Sequence, residues 1–123
     1  MPKRLVAFAA QAHDVAMIGI LGTVADYTDP VAYKKSAVRA RRFGFSGGTC
    51  VHPGLVQALN EAFTPDPAEV AHARKLIAAD EKAAAEGRGS FTVDGKMIDI
   101  PVIDRARRLL ARHDAIERRF RKV

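Results

Sequence analysis

The sequence predicts an α/β fold with parallel strands, followed by an extension of helix, β-hairpin and helix. Stretches with apolar residues at steps of three and four alternate with short unbroken apolar runs, and the links between them are brief. That rhythm of helix, strand, helix, strand, helix is the mark of a parallel sheet. The second observation is a change of character at Thr64-Pro65-Asp66-Pro67, where two prolines in four residues form a joint. The third is an Asp-Gly pair between two short β-prone runs, followed by a proline-started basic helix. Residues 1–64 are therefore read as one segment and 65–123 as another.

From Lys3 to Ala12, Leu5, Val6, Phe8, Ala9 and Ala12 suit a helix with one buried face, which His13-Asp14 breaks. Val15 to Leu21 is a continuous apolar run, as in a strand buried on both faces. Thr23 to Asp29 is a loop. Asp29-Pro30 starts a helix, because the carboxylate accepts from orphan N–H groups and proline lacks the hydrogen that would go unpaired. That helix carries Ala32, Tyr33, Ala37, Val38 and Ala40 and stops near Phe43-Gly44. A strand is expected at about Gly48 to Val51, then a sharp His52-Pro53-Gly54 corner, then a helix from Leu55 to Phe63. Past the joint, Asp66 with Glu69 three residues later resembles a capping box. The helix it opens runs to about Ala85 and is stopped by Gly87 and Gly89. Ser90 to Asp99 reads as a hairpin around Asp94-Gly95. Pro101 starts the last helix with Ile100 at the cap position. Its buried stripe is Val102, Ala106, Leu109, Leu110, His113, Ile116 and Phe120.

Composition narrows the class. With 123 residues, 48% hydrophobic and 28% charged, the chain has the balance of a soluble domain with a modest core. No apolar run approaches the ~20 residues of a membrane span. Gln11, His13 and Asp14 cut the N-terminal apolar stretch too early for a signal peptide. The single Cys50 excludes an internal disulfide and suits a reducing cytoplasm. From Pro101 onward, eight basic residues face three acidic ones, so this tail supplies +5 of the net charge of +6. A basic helix is most simply a solvated face, and otherwise a surface for nucleic acid or an anionic cofactor.

Several residues could carry chemistry. Gly47-Gly48 could let backbone N–H groups meet a phosphate or simply make a tight turn, and there is no GxGxxG or Walker pattern. Cys50 and His52 alternate along the expected strand and would share a side, but no second ligand pair completes a metal site. His52 stands at a strand's C-terminal end, where barrel enzymes place their functional groups. It reads equally as a structural histidine bonded to the neighbouring loop. Asp99 reads as a local cap or, with Ile100 at the cap position, as an uncommitted acid or base. Asp26 and Asp29 sit on a strand-end loop, and Asp29 is better explained as a cap. No Ser-His-Asp set can be argued from the spacings.

Gly44 to Pro53, Asn60 to Pro65 and Gly89 to Pro101 resemble the C-terminal part of the HpcH/HpaI aldolase and citrate lyase beta-subunit family, which includes acyl-CoA lyases. Gly19 to Asp29 is similar to a seventh strand and loop of that group. The resemblance implies a (β/α)8 TIM barrel with a C-terminal extension. A full barrel takes ~250 residues, so the chain would hold its last two βα units (1–64) and a lid or oligomerisation extension (65–123). It implies Mg2+-dependent carbon–carbon lyase chemistry on a 3-hydroxyacyl-CoA thioester, with the metal ligands on earlier strands absent here. It places Val51 and His52 at the acyl-CoA site. Asp99 would be a catalytic group on a mobile segment that reaches a neighbouring subunit's site. Partners would be the acyl-CoA, a trimer-based homo-oligomer or a complementing N-terminal half, in the cytoplasm and away from membranes. The isolated chain would lack a complete metal site and be inactive. The alternative is a non-catalytic binding module whose basic last helix contacts nucleic acid or an acidic partner. Aromatic content of 7% argues against single-strand recognition by stacking.

Overall fold

The computed structural model describes residues 2–23 and 27–122, and the chain divides into two compact units, Met1–Thr64 and Pro65–Val123. Asp26 lies outside the described residues.

The first unit opens with α1 (Pro2–Ala12). Asp14 takes a left-handed conformation with φ 52°. That lets Val15 N–H reach Ala10 O at 2.8 Å and Asp14 N–H reach Gln11 O at 3.3 Å, the bond pattern of a Schellman stop. The expected buried face is thinner than the apolar spacing implies. Ala7 is buried, whereas Leu5, Val6 and Phe8 are exposed.

Next comes α2 (Pro30–Arg42), capped by Asp29, whose Oδ1 accepts from the amides of Val31 and Ala32 at 3.1 Å. Gly44, at φ 96°, ends it and returns Phe45 N–H to Ala40 O at 3.2 Å. A single 3-10 turn, Pro53–Leu55, leads into α3 (Val56–Phe63), so the helix expected from Leu55 is tightened at its start. α2 and α3 enclose a core of Ile20, Tyr33, Ala37, Ala40, Phe45, Leu55, Ala62 and Phe63.

The two expected strands do not form as ladders. Residues 15–21 and 45–51 meet at a single parallel bridge between Ile18 and Gly47. It is made by Gly19 N–H to Gly47 O at 2.9 Å and Ser46 N–H to Met17 O at 2.7 Å. A strand buried on both faces needs neighbours on both edges. Here each stretch has one neighbour, and Ile18 remains 65% exposed. Of the Gly47-Gly48 pair, Gly48 is the one that close packing requires, and a Cβ at Gly47 would meet open space. A Cβ at Gly48 would lie 2.8 Å from Leu59 Cδ1 and 3.4 Å from Gly19 O.

The second unit has the expected order of helix, hairpin and helix. α4 (Pro67–Ala85) carries both halves of the capping box. Asp66 Oδ1 accepts from Ala68 N–H, and Glu69 Oε2 accepts from Asp66 N–H, each at 3.0 Å. β1 (Phe91–Val93) and β2 (Lys96–Ile98) pair antiparallel. Asp94 and Gly95 have φ of 51° and 76°, the two left-handed residues of a type I′ turn. Lys75 Nζ reaches Asp94 Oδ1 at 2.6 Å and holds the Asp94 carboxyl below its ordinary range by that hydrogen bond and by its charge. α5 (Ile100–Arg121) packs on α4 around Ala73, Leu76, Val93, Ile98, Ile103 and Ala106.

Two expectations change in this unit. The stripe of α5 includes Ile103, and Phe120 at its far end is exposed. The helix also begins one residue early, which makes Asp99 rather than Ile100 the cap. No helix among the described residues is long and apolar enough to cross a membrane.

Asp66→Ala deletes the cap and breaks the box. The expected cost is about 1 kcal/mol, read as a lower urea midpoint with unchanged slope. An unchanged midpoint would show that α4 does not depend on this cap.

Candidate functional site

The corner after residue 51 is built from the core outward. Tyr33 is buried on α2, and its Oη donates to the carbonyl oxygen of Thr49 at 2.5 Å. Burial, and secondarily the nearby Cys50 thiol, pushes the Tyr33 phenol above its ordinary value of 10.0. The group therefore stays a protonated donor at neutral pH. Leu55, 1% exposed, pins the other side of the corner into the core. Between these two anchors Val51 and His52 stand out from the surface, Val51 being 61% exposed.

His52 is in an extended conformation, and its Nδ1 accepts from Gly54 N–H at 3.0 Å. A neutral ring accepting at Nδ1 carries its proton on Nε2. The Tyr27 ring lies parallel to it, with centroids 5.5 Å apart and 8° between the planes. The corner thus presents a ring held by one hydrogen bond and one stack, with an N–H donor at its outer edge. Such a donor can meet a carbonyl or a phosphate oxygen. The structural role expected for His52 is real, and it leaves Nε2 uncommitted.

Cys50 does not share a side with His52. It packs against the core while His52 is exposed, because no strand forms to enforce the alternation. Among the described residues no group of three or more His, Cys, Asp or Glu could hold a metal ion.

Asp99 belongs to the second unit. Its Oδ1 accepts from Val102 N–H at 3.3 Å, so one oxygen is occupied as the cap of α5. Oδ2 makes no hydrogen bond among the described residues, leaving a carboxylate oxygen available at an exposed position. Met97 and Ile100 flank it, each 77% exposed. The structure therefore gathers Val51 and His52 with Tyr27 and Tyr33 in one unit, and sets Asp99 in the other.

Sequence reasoning missed the two tyrosines. Tyr33 had a signal, being the one aromatic on an otherwise Ala- and Val-lined face of its helix. Tyr27 had none, since a loop aromatic has no periodicity to read.

Comparison with known proteins finds relatives of the chain. No family model matches the chain. It is 39% identical over 110 residues to a citrate lyase subunit beta-like protein of Deinococcus radiodurans, a match covering 89% of this chain and 38% of the relative. The chain resembles part of the citrate lyase beta-subunit family. A second member, the L-malyl-CoA/beta-methylmalyl-CoA lyase of Rhodobacter capsulatus, is 36% identical over 100 residues, covering 81% of this chain and 31% of that one. Among solved structures, CitE from Mycobacterium tuberculosis in complex with magnesium, acetoacetate and coenzyme A superposes with a TM-score of 0.69 at 29% identity, over 87% of this chain and 38% of that one. The chain thus spans less than two fifths of the length of these family members.

Tyr33 ties the fold to the corner and gives it a pH signature. The fold favours the protonated phenol, so its contribution is complete below pH 10.0 and is lost as pH rises through the higher folded value. Tyr33→Phe should cost about 1 kcal/mol at neutral pH through the lost bond to Thr49. It should also flatten the alkaline fall in melting temperature. A variant with the parent's alkaline profile would remove this account of Tyr33.

Proposed function

We propose that the chain is the C-terminal portion of a (β/α)8-barrel carbon–carbon lyase acting on 3-hydroxyacyl-CoA thioesters. The observation that carries the reading is the identity to a malyl-CoA lyase across 81% of the chain. Residues 1–64 would supply the last two βα units and 65–123 the lid and oligomer contacts. Val51 and His52 would face the acyl-CoA, with the His52 Nε2–H donating to a ligand oxygen. The Mg2+ of this chemistry, present in the CitE complex, would be held by residues of the remaining portion of the enzyme. It would supply Lewis-acid stabilisation of negative charge there.

In the cleavage direction a base in the remaining portion of the enzyme would take the 3-hydroxyl proton, and the bond between the second and third acyl carbons breaks. Its electron pair passes into the thioester as an enolate, and the third carbon becomes a carbonyl. Asp99 would move the proton to or from the enolate carbon, through the oxygen that the helix cap leaves available. It would do so in a neighbouring subunit of a trimer-based, cytoplasmic assembly. The arginines of α5 suit the phosphates of CoA. Alone, the chain would be inactive.

The test is a chimera. The 100 matched residues of the Rhodobacter capsulatus lyase are replaced by those of this chain. The chimera should cleave malyl-CoA with Mg2+. Asp99→Asn should then lower kcat by about 10²-fold or more, and His52→Ala should raise KM. A folded chimera that binds Mg2+ and CoA ester without cleaving it would defeat the reading. Full activity in the Asp99→Asn chimera would remove Asp99 from the chemistry.

A further inference from the structure

We propose that the cavity between the start of α1 and the end of α2 binds a small carboxylate that carries an apolar body. The cavity has a volume of about 450 Å³, within the range of small-molecule sites. Its lining is of two kinds. Phe45 is buried and Leu21 and Phe43 are half-buried, all three packed into the core of the first unit. Lys3, Arg4 and Arg39 are exposed. Among the described residues no carboxylate lines the cavity. None of Tyr27, Tyr33, Val51 and His52 lines it either, so it is a different place from the corner at His52.

The three cations are held in place but not neutralised. Lys3 Nζ donates to Ile20 O at 2.8 Å, a neutral acceptor that uses one of the three ammonium hydrogens. The Arg4 guanidinium lies over the Phe43 ring, 5.2 Å from its centroid. A stacked guanidinium keeps its N–H donors in its own plane, free to meet a carboxylate. The Arg39 side chain makes no hydrogen bond or ion pair among the described residues. Like charges around one hollow repel, and a single anion among them relieves that repulsion and accepts their N–H donors in pairs. The apolar walls decide the rest of the ligand. A bare hydrated anion would leave Leu21, Phe43 and Phe45 uncovered, whereas a short hydrocarbon on the carboxylate buries surface against them.

Occupancy also fastens α1. That helix buries one residue, Ala7. It is tied to the rest of the unit by the Lys3 bond, by Arg4 on Phe43 and by Gln11 Nε2 donating to Phe43 O at 3.4 Å. A carboxylate shared between Arg4 and Arg39 joins α1 to α2 directly, through charge-assisted hydrogen bonds.

The test titrates hexanoate into the full chain, followed by calorimetry and by backbone amide chemical shifts. Acetate, which has the charge without the body, and 1-hexanol, which has the body without the charge, are titrated beside it. The expected result is one-to-one binding of hexanoate, with shifts centred on Arg39, Phe43 and Phe45 and slower amide exchange at Ala7 and Phe8. Acetate and 1-hexanol should each bind about tenfold more weakly, or not at all. Arg39→Glu should weaken hexanoate about tenfold or more. Arg74→Glu, the same change of charge in the second unit, should leave it within about twofold, because a distant exposed charge is screened. Circular dichroism checks that both variants keep the parent's helix content. No binding up to about 10 mM hexanoate would overturn the inference. So would equal affinity for 1-hexanol, an equal loss in the two variants, or shifts centred on His52.

Discussion

The first unit depends on a close approach of two backbones. Met17 to Gly19 and Ser46 to Gly47 meet through two amide–carbonyl bonds, and a side chain at Gly48 would crowd Leu59 and Ile20. Everything after this contact inherits its position. With residues 46 and 47 placed, the Thr49 carbonyl comes within reach of Tyr33, the chain turns at Pro53, and Leu55 enters the core. His52 stands where it does because the segments on either side of it are anchored. Burial of Tyr33, Phe45, Leu55 and Phe63 contributes about 1.5–3 kcal/mol each by apolar area, an upper estimate. The Lys34–Glu61 pair that joins α2 to α3 is half exposed and screened by salt, so it adds specificity more than stability.

Much of the helical framework was legible because its signals are local. Asp29-Pro30, the Asp66 and Glu69 box, Gly44 and the Asp94-Gly95 turn each act within a few residues and need no distant partner. The strands were legible as apolar runs but not as ladders. Whether Val15 to Leu21 becomes a strand depends on neighbours at both edges, and the described residues supply one, at Gly47. Asp99 was misjudged by one residue. Pro101 fits the second helical position as well as the first, and only the bond from Val102 N–H to its carboxylate decides that Asp99 is the cap. The parallel rings of Tyr27 and His52 join residues far apart in sequence, and pattern alone could not pair them.

The same uneven legibility runs through the candidate site. His52 and Asp99 were singled out by position, at an expected strand end and before a proline-started helix. The structure adds what each can still do. His52 uses Nδ1 locally and keeps an Nε2–H donor. Asp99 spends one oxygen on α5 and keeps the other. A group fixed by one bond and available by another is suited to meeting a ligand without reorganising first. The described residues hold no cluster able to bind a metal, while CitE carries magnesium.

The central claim is that one parallel bridge organises the first unit and leaves its outer edge open. Amide hydrogen exchange on the chain alone tests it residue by residue. The account predicts slow exchange at Gly19 and Ser46, whose N–H groups make the bridge, and fast exchange at Ile18 between them. Equal protection at Ile18 and Gly19 would contradict the open edge. Fast exchange at all three would contradict the bridge.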